Sequence, residues 1–259
     1  GSVDAKGPMA TFIWAAAKAK IKDLKIQVIG AVEEEGNSKG AHFVKNKIKP
    51  DYIVIGEPSS AGKLTLGYKG TLRFLYTLKK SITHGASNET NAYDDAIMFY
   101  NELKEYTQAY NVGKGTFEQL LVYPSAIETK GDGLHQEICF KIVFRVPVEL
   151  TIDNVLDFAQ SKKSSGDISE VYFEKPIKAP KNTPLVRAFL QAIRAKKLEQ
   201  KFSLKTGTSD MNVLGNHFTV PIVKYGPGDS MLDHTPDEHI EVEEYVLAIE
   251  ILKDVLESV

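Results

Sequence analysis

The sequence predicts an α/β protein: a layered domain with a mostly parallel central sheet, interrupted by an inserted ferredoxin-like α+β unit. Three observations carry that reading. Short, nearly continuous β-branched runs end directly in acidic residues, a helical apolar pattern closes the chain, and the middle of the chain follows the order β-α-β-β-α-β. At 259 residues, two domains are expected. The composition changes place the first part of the layered domain at 1–64, the insertion at 65–178 and the second part at 179–259.

The elements follow in order. Residues 7 to 20 carry Pro8 in a first helical turn and then Met9, Phe12, Ile13, Ala16 and Ala17 at helical spacing, which predicts a core-facing helix. Ile26 to Val32 and Tyr52 to Ile55 read as buried parallel strands, and Ile222 to Tyr225 as a third, followed by Gly226-Pro227-Gly228-Asp229. Val242 to Leu256 is a closing helix. Within the insertion, residues 71–80 alternate as a half-buried strand and 91–106 are helical. Strands at about 117–126 and 137–147, a helix at 151–163 and a strand at 169–175 complete the unit.

The bulk composition is that of a folded protein, with 42% hydrophobic and 25% charged residues. A net charge of -2 supplies no broad cationic field for nucleic acid or anionic lipid, so neither is an expected partner. The lone Cys139, in an apolar run, allows no intrachain disulfide and reads as a buried small hydrophobe. There is no run long enough to span a membrane and no signal-peptide pattern at the start, and a cytoplasmic location is expected.

The chemistry is expected beyond the carboxyl ends of the strands. Glu33-Glu34-Glu35-Gly36 follows one strand, Gly56-Glu57-Pro58-Ser59 the next, and Asp229 with His234 the third. Each of these, alone, is also what a polar loop looks like. Several carboxylates converging at one sheet end would repel one another unless a cation neutralised them. Oxygen and imidazole donors without thiolate suit zinc, cobalt or manganese, and the surplus of carboxylates suggests two ions.

These residues resemble a known family. Val3-Asp4-Ala5-Lys6-Gly7, the three glutamates with Gly36, Gly56 to Ser59, Gly207-Thr208-Ser209-Asp210 and Tyr225 to Ser230 through His234-Thr235 occur in the order of the zinc aminoacylase and carboxypeptidase family. That family includes acetylornithine deacetylase and succinyl-diaminopimelate desuccinylase. Lys205 to Asn212 and Gly226 to Leu232 look most like its branch that releases lysine or ornithine from an amino-group carrier protein. The resemblance implies a two-metal amidohydrolase, with zinc or cobalt. Asp4 would bridge the ions, Glu35 and His234 would complete one, Glu57 would bind the other, and Glu34 would be the general base. His84 matches a histidine that reaches the site from a partner subunit, which implies a homodimer through the inserted lid. Arg145 matches an arginine near the substrate, although a salt bridge is an equal reading. Gly207, Asp210 and Gly228 fall in motifs that contact substrate, and Lys205 could meet substrate charge. The resemblance also implies an acidic carrier protein as the macromolecular substrate, with a simple deacetylase as the alternative.

Two departures qualify these expectations. The family's His-x-Asp motif, which belongs some tens of residues before Asp4, is absent from this sequence, so the layered domain is expected to be truncated at its N-terminus. One metal would then be held poorly, and a non-catalytic dimerisation or binding fragment is the rival reading. Lys130-Gly131-Asp132-Gly133-Leu134 also stands where the family has an Asn-x-x-Pro-like segment.

Overall fold

The computed structural model describes residues 1–22, 24–82 and 89–259. After a wide turn at Ser2–Lys6, the chain forms α1 (Gly7–Lys18), α2 (Lys39–Val44), β1 (Ile53–Gly56), β2 (Lys63–Tyr68), β3 (Gly70–Ser81) and α3 (Ala92–Asn111). Next come β4 (Leu121–Gly131), β5 (His135–Val146), α4 (Ile152–Lys162), β6 (Asp167–Glu174) and β7 (Ile177–Lys178). The chain closes with α5 (Pro184–Ala195), β8 (Lys201–Lys205), α6 (Asp210–His217), β9 (Ile222–Tyr225) and α7 (Val242–Leu256). These elements divide into two compact units. One comprises Gly1–Tyr68, Ile177–Lys205 and Ser209–Val259, the other Lys69–Pro176 with Thr206–Thr208.

The sheet of the first unit, expected to be mostly parallel, is instead mixed. β1 and β9 run parallel, from Ile53 opposite Ile222 to Gly56 opposite Tyr225. β9 meets β2 antiparallel at Lys224 and Thr65, and β2 pairs in parallel with β8 and antiparallel with β7. Side chains alternate across these strands, so the sheet feeds two apolar clusters. Val223 and Tyr225 pack with Phe189 of α5 and Ile251 and Val255 of α7, while Ile53, Ile55 and Ile222 pack with Ala41 of α2 and Met211 and Leu214 of α6.

The second unit follows the order β-α-β-β-α-β in an antiparallel sheet, β4-β5-β3-β6. Leu72, Phe74, Tyr76 and Leu78, every second residue of β3, are buried against Ala96, Phe99 and Leu103 of α3 and Val155 and Ala159 of α4. Asn91 caps α3, its Oδ1 accepting from the Tyr93 and Asp94 amides at 2.8 and 2.9 Å. Satisfying two amides that the helix itself leaves unpaired fixes where α3 starts.

Three further sequence expectations are corrected. Ile26–Val32 is not a strand: no ladder pairs with it among the described residues, and Val28, Ile29 and Val32 stand 38, 40 and 67% exposed. An apolar β-branched run becomes a strand only where another strand takes its backbone hydrogen bonds. The buried face of α1 is Pro8, Thr11 and Ala15, whereas Ile13 is exposed; the segment is apolar nearly all round, so spacing alone did not single out one side. Cys139 is half-buried, with its thiol 3.6 Å from the Thr77 hydroxyl.

Candidate active site

Parallel pairing of β1 and β9 brings their carboxyl ends together, and the loops that follow are tied by two backbone hydrogen bonds and one to a side chain. Ser59 N donates to Gly226 O at 3.1 Å, Ser60 N to Gly228 O at 2.9 Å, and Gly226 N to Ser59 Oγ at 3.2 Å. Two glycines make this close approach possible. A Cβ on Gly226 would lie 2.6 Å from the carbonyl oxygen of Glu57, and Gly228 has φ of +91°, where other residues are strained. Glu244 of α7 fastens both loops by accepting from Ala61 N at 2.9 Å and Gly228 N at 3.3 Å.

Asp4, Glu35 and His234 meet at one point. Among the described residues they are the one group of three such side chains whose donor atoms all lie within 4.8 Å of one another. His234 Nε2 is 3.4 Å from Asp4 Oδ2 and 3.5 Å from Glu35 Oε1. Asp4 sits in the opening turn, and its peptide bond to Ala5 is cis. Glu238 anchors that turn, because its Oε1 accepts from the Val3 and Asp4 amides at 2.8 and 3.0 Å. A hydrogen bond from the Gly1 amino group, then those from Asp4 and Val3, hold the Glu238 carboxyl down to about 2. His234 has φ of 57°, a left-handed backbone that turns the chain within the loop after β9. Two carboxylates and an imidazole converging without thiolate form a donor set suited to a divalent ion.

Glu34 lies deeper than Glu35. Burial first, and then the charges of Glu57, Asp210, Glu35 and Asp4, push its carboxyl up to about 8. Burial and Asp4 also raise Glu35, against an opposing pull from His234. Glu57 stands apart from the three-residue group: its Oε2 accepts from Tyr68 Oη at 2.7 Å and from Lys224 Nζ at 3.0 Å. Its Oε1 is buried with no hydrogen-bond partner among the described residues, an open acceptor of the kind a cation fills. Ser209 and Asn212 form a reciprocal capping box at the start of α6, which fixes Asp210 in the first helical turn.

The remaining candidates are placed as follows. Glu33 points to solvent and pairs with Lys39 at 2.9 Å. Lys205 bonds the Ser230 hydroxyl. Arg145, in the second unit, donates to Thr71 Oγ1 at 2.6 Å and Thr208 Oγ1 at 3.1 Å, neutral partners rather than a carboxylate. Gly207 belongs to the same unit and has open space where a Cβ would stand. His84 lies outside the described residues. His42, His135, His217 and His239, which fit no motif, sit respectively near Lys45, Asp132, Phe218 and Glu241.

Sequence reasoning missed Tyr68, Lys224, Asp233 and Glu238. Lys224 left a signal, being a lysine inside a four-residue strand that is otherwise apolar. Asp233 also left one, as an acid directly before His234; burial and then Asp4 push it up to about 6. Nothing in the sequence marked Tyr68 or Glu238.

Comparison with known proteins gives a consistent result. The family model for peptidase family M20/M25/M40 matches residues 1–258. A LysW-lysine hydrolase of Deinococcus radiodurans is 36% identical over 99% of this chain and 74% of its own length. A putative LysW-lysine/LysW-ornithine hydrolase of Thermococcus kodakarensis is 36% identical over the whole chain, which spans 68% of that relative. Among solved structures, an M20 family metallo-carboxypeptidase of Sulfolobus solfataricus superposes with a TM-score of 0.72 at 17% identity, covering 100% of this chain and 76% of that one. The aminopeptidase PepT of Bacillus cereus gives 0.69 at 16% identity; 88% of this chain covers 62% of its length, just under two thirds. At these identities the two structures speak for the fold alone.

Proposed function

The chain belongs to peptidase family M20/M25/M40, and on that premise we propose that the protein hydrolyses the amide that links lysine or ornithine to the terminal glutamate of the LysW amino-group carrier. Relatives named for that reaction, at 29 to 36% identity over nearly the whole chain, support the substrate class. The observation that carries the chemistry is the meeting of Asp4, Glu35 and His234 near the half-buried Glu34.

The residues fit divalent metal ions, held by Asp4, Glu35 and His234 and by the open oxygen of Glu57. Bound there, such ions polarise a scissile carbonyl and lower the pKa of water. Zinc is the first choice and cobalt the second, since both suit this donor set. Glu34 supplies the proton transfers. With its acidic neighbours neutralised, its carboxyl falls from about 8 toward the range in which it accepts a proton from water. It then passes that proton to the departing α-amino nitrogen, so the amine leaves neutral.

Arg145, whose partners are neutral hydroxyls, is assigned to a substrate carboxylate, with Gly207, Asp210 and Gly228 as further contacts and His84 as a donor to the developing oxyanion. The second unit is assigned as a lid through which two copies pair. A cytoplasmic setting is proposed with it; among the described residues no helix is long and apolar enough to cross a membrane. The test is lysine release from the carrier by protein stripped of metal. Stripped protein should be idle and recover with zinc or cobalt, whereas release that is indifferent to chelation would refute a metal-dependent mechanism.

A further inference from the structure

The two oxygens of Glu57 are unlike. Oε2 accepts from Tyr68 Oη and from Lys224 Nζ, while Oε1 is buried with no hydrogen-bond partner among the described residues. Lys224 is itself buried, with only 3% of its side chain exposed, and its ammonium lies over the Tyr68 ring, 5.4 Å from the centroid. All four residues of β9 are buried, so the ammonium has no short route to water if another cation displaces it. A divalent ion on Oε1 would therefore sit beside a fixed positive charge that already neutralises the carboxylate. The group at Asp4, Glu35 and His234 differs, because among the described residues its ion pairs are those between its own members.

We propose that Lys224 makes the two ion positions unequal: the ion at Asp4, Glu35 and His234 binds first and tightly, and the ion at Glu57 binds second and weakly. The inference rests on the two-metal reading. Its physical basis is Coulombic, since repulsion between a divalent ion and an ammonium a few ångströms apart is large where water is excluded. Lys224 is on this account a positioning residue, which holds Glu57 through one oxygen and sets how much negative charge the other retains. The pairing also gives the largely buried Glu57 side chain, 15% exposed, a counter-charge when no ion is bound, which explains a lysine in the middle of a strand.

The experiment is calorimetric titration of the metal-stripped full chain with Zn²⁺, comparing the unaltered protein with Lys224→Gln, Lys224→Met, Lys224→Arg and Glu57→Gln. The unaltered protein should show two events whose Kd values differ by about tenfold or more. Glu57→Gln should abolish the second event only. Lys224→Gln, which still offers Oε2 a neutral donor, and Lys224→Met should tighten the second event by about tenfold or more and leave the first unchanged. Lys224→Arg keeps the charge and should leave both events weak and strong as before. Equal affinities in the unaltered protein would overturn the inference without any variant. So would a second event that depends on Glu57 yet stays the same or weakens in Lys224→Gln. A single event in every protein would overturn the two-metal reading itself, and the inference with it.

Discussion

The Glu34 carboxyl has an ordinary value of 4.5 and in the folded, metal-free protein is pushed up to about 8. Between those values the folded chain holds more protons than the unfolded one, so stability must fall as pH rises across that window. The melting temperature of stripped protein should therefore drop as pH is raised from 4.5 to about 8, and Glu34→Gln should flatten most of that drop. Asp233, raised from 3.8 to about 6, leaves a smaller residual slope at the acid end. Melting curves across pH check both, and a stability that rises through this range would contradict the placement of Glu34. In the metal-loaded protein, Glu34→Gln keeps every proposed ligand and removes the proton carrier. It should retain its metal by elemental analysis and lose turnover by about 10²–10⁴-fold. Acids after short β-branched runs drew attention to Glu34, Glu35 and Glu57, and Asp229 with His234 followed the third run, whereas Asp4 and the role of each residue came only from the resemblance of the motifs. The sequence did not name Tyr68 or Lys224, because what they do depends on β2 and β9 lying side by side, a pairing that no local pattern records.

At the scale of elements, alternation was the dependable signal. β3 buries every second residue against two helices, and β1, β9 and α7 also stand where their apolar spacing puts them. Removing one of these buried rings is expected to be costly: Phe74→Ala should destabilise the second unit by about 3–5 kcal/mol, measurable by denaturant unfolding. Residues 26–32 failed as a strand for the complementary reason. Their side chains suit a sheet interior, but no neighbouring ladder is present among the described residues. Hydrogen exchange should therefore find the amides of 26–32 poorly protected and those of β1 well protected; protection of 26–32 equal to β1 would contradict this description. α2, α5, α6, β2, β7 and β8 had no reading from the sequence. α2 and β8 are short and no residue of β8 is buried, which leaves little periodicity to detect, whereas α5 carries an apolar face of Leu185, Val186, Phe189, Ala192 and Ile193 that was legible and went unread.

For the whole molecule, two units each carry their own sheet and core, and every residue of the proposed metal and proton chemistry belongs to the first. Asp4, Glu35 and His234 come together although they lie far apart in the chain, and β1 and β9, the strands that precede Glu57 and His234, pair in one sheet. The mixed character of that sheet was not legible, because strand direction depends on connections rather than on composition. The choice of substrate is a property of the whole protein, since it requires both the metal chemistry and a surface that accepts a carrier. The most direct measurement is kcat/KM for metal-loaded protein on carrier-linked lysine and on N-acetyl-lysine under the same conditions. The account predicts free lysine from the carrier and a clear preference for the carrier-linked substrate; a preference for the acetyl compound, with the carrier left intact, would contradict it.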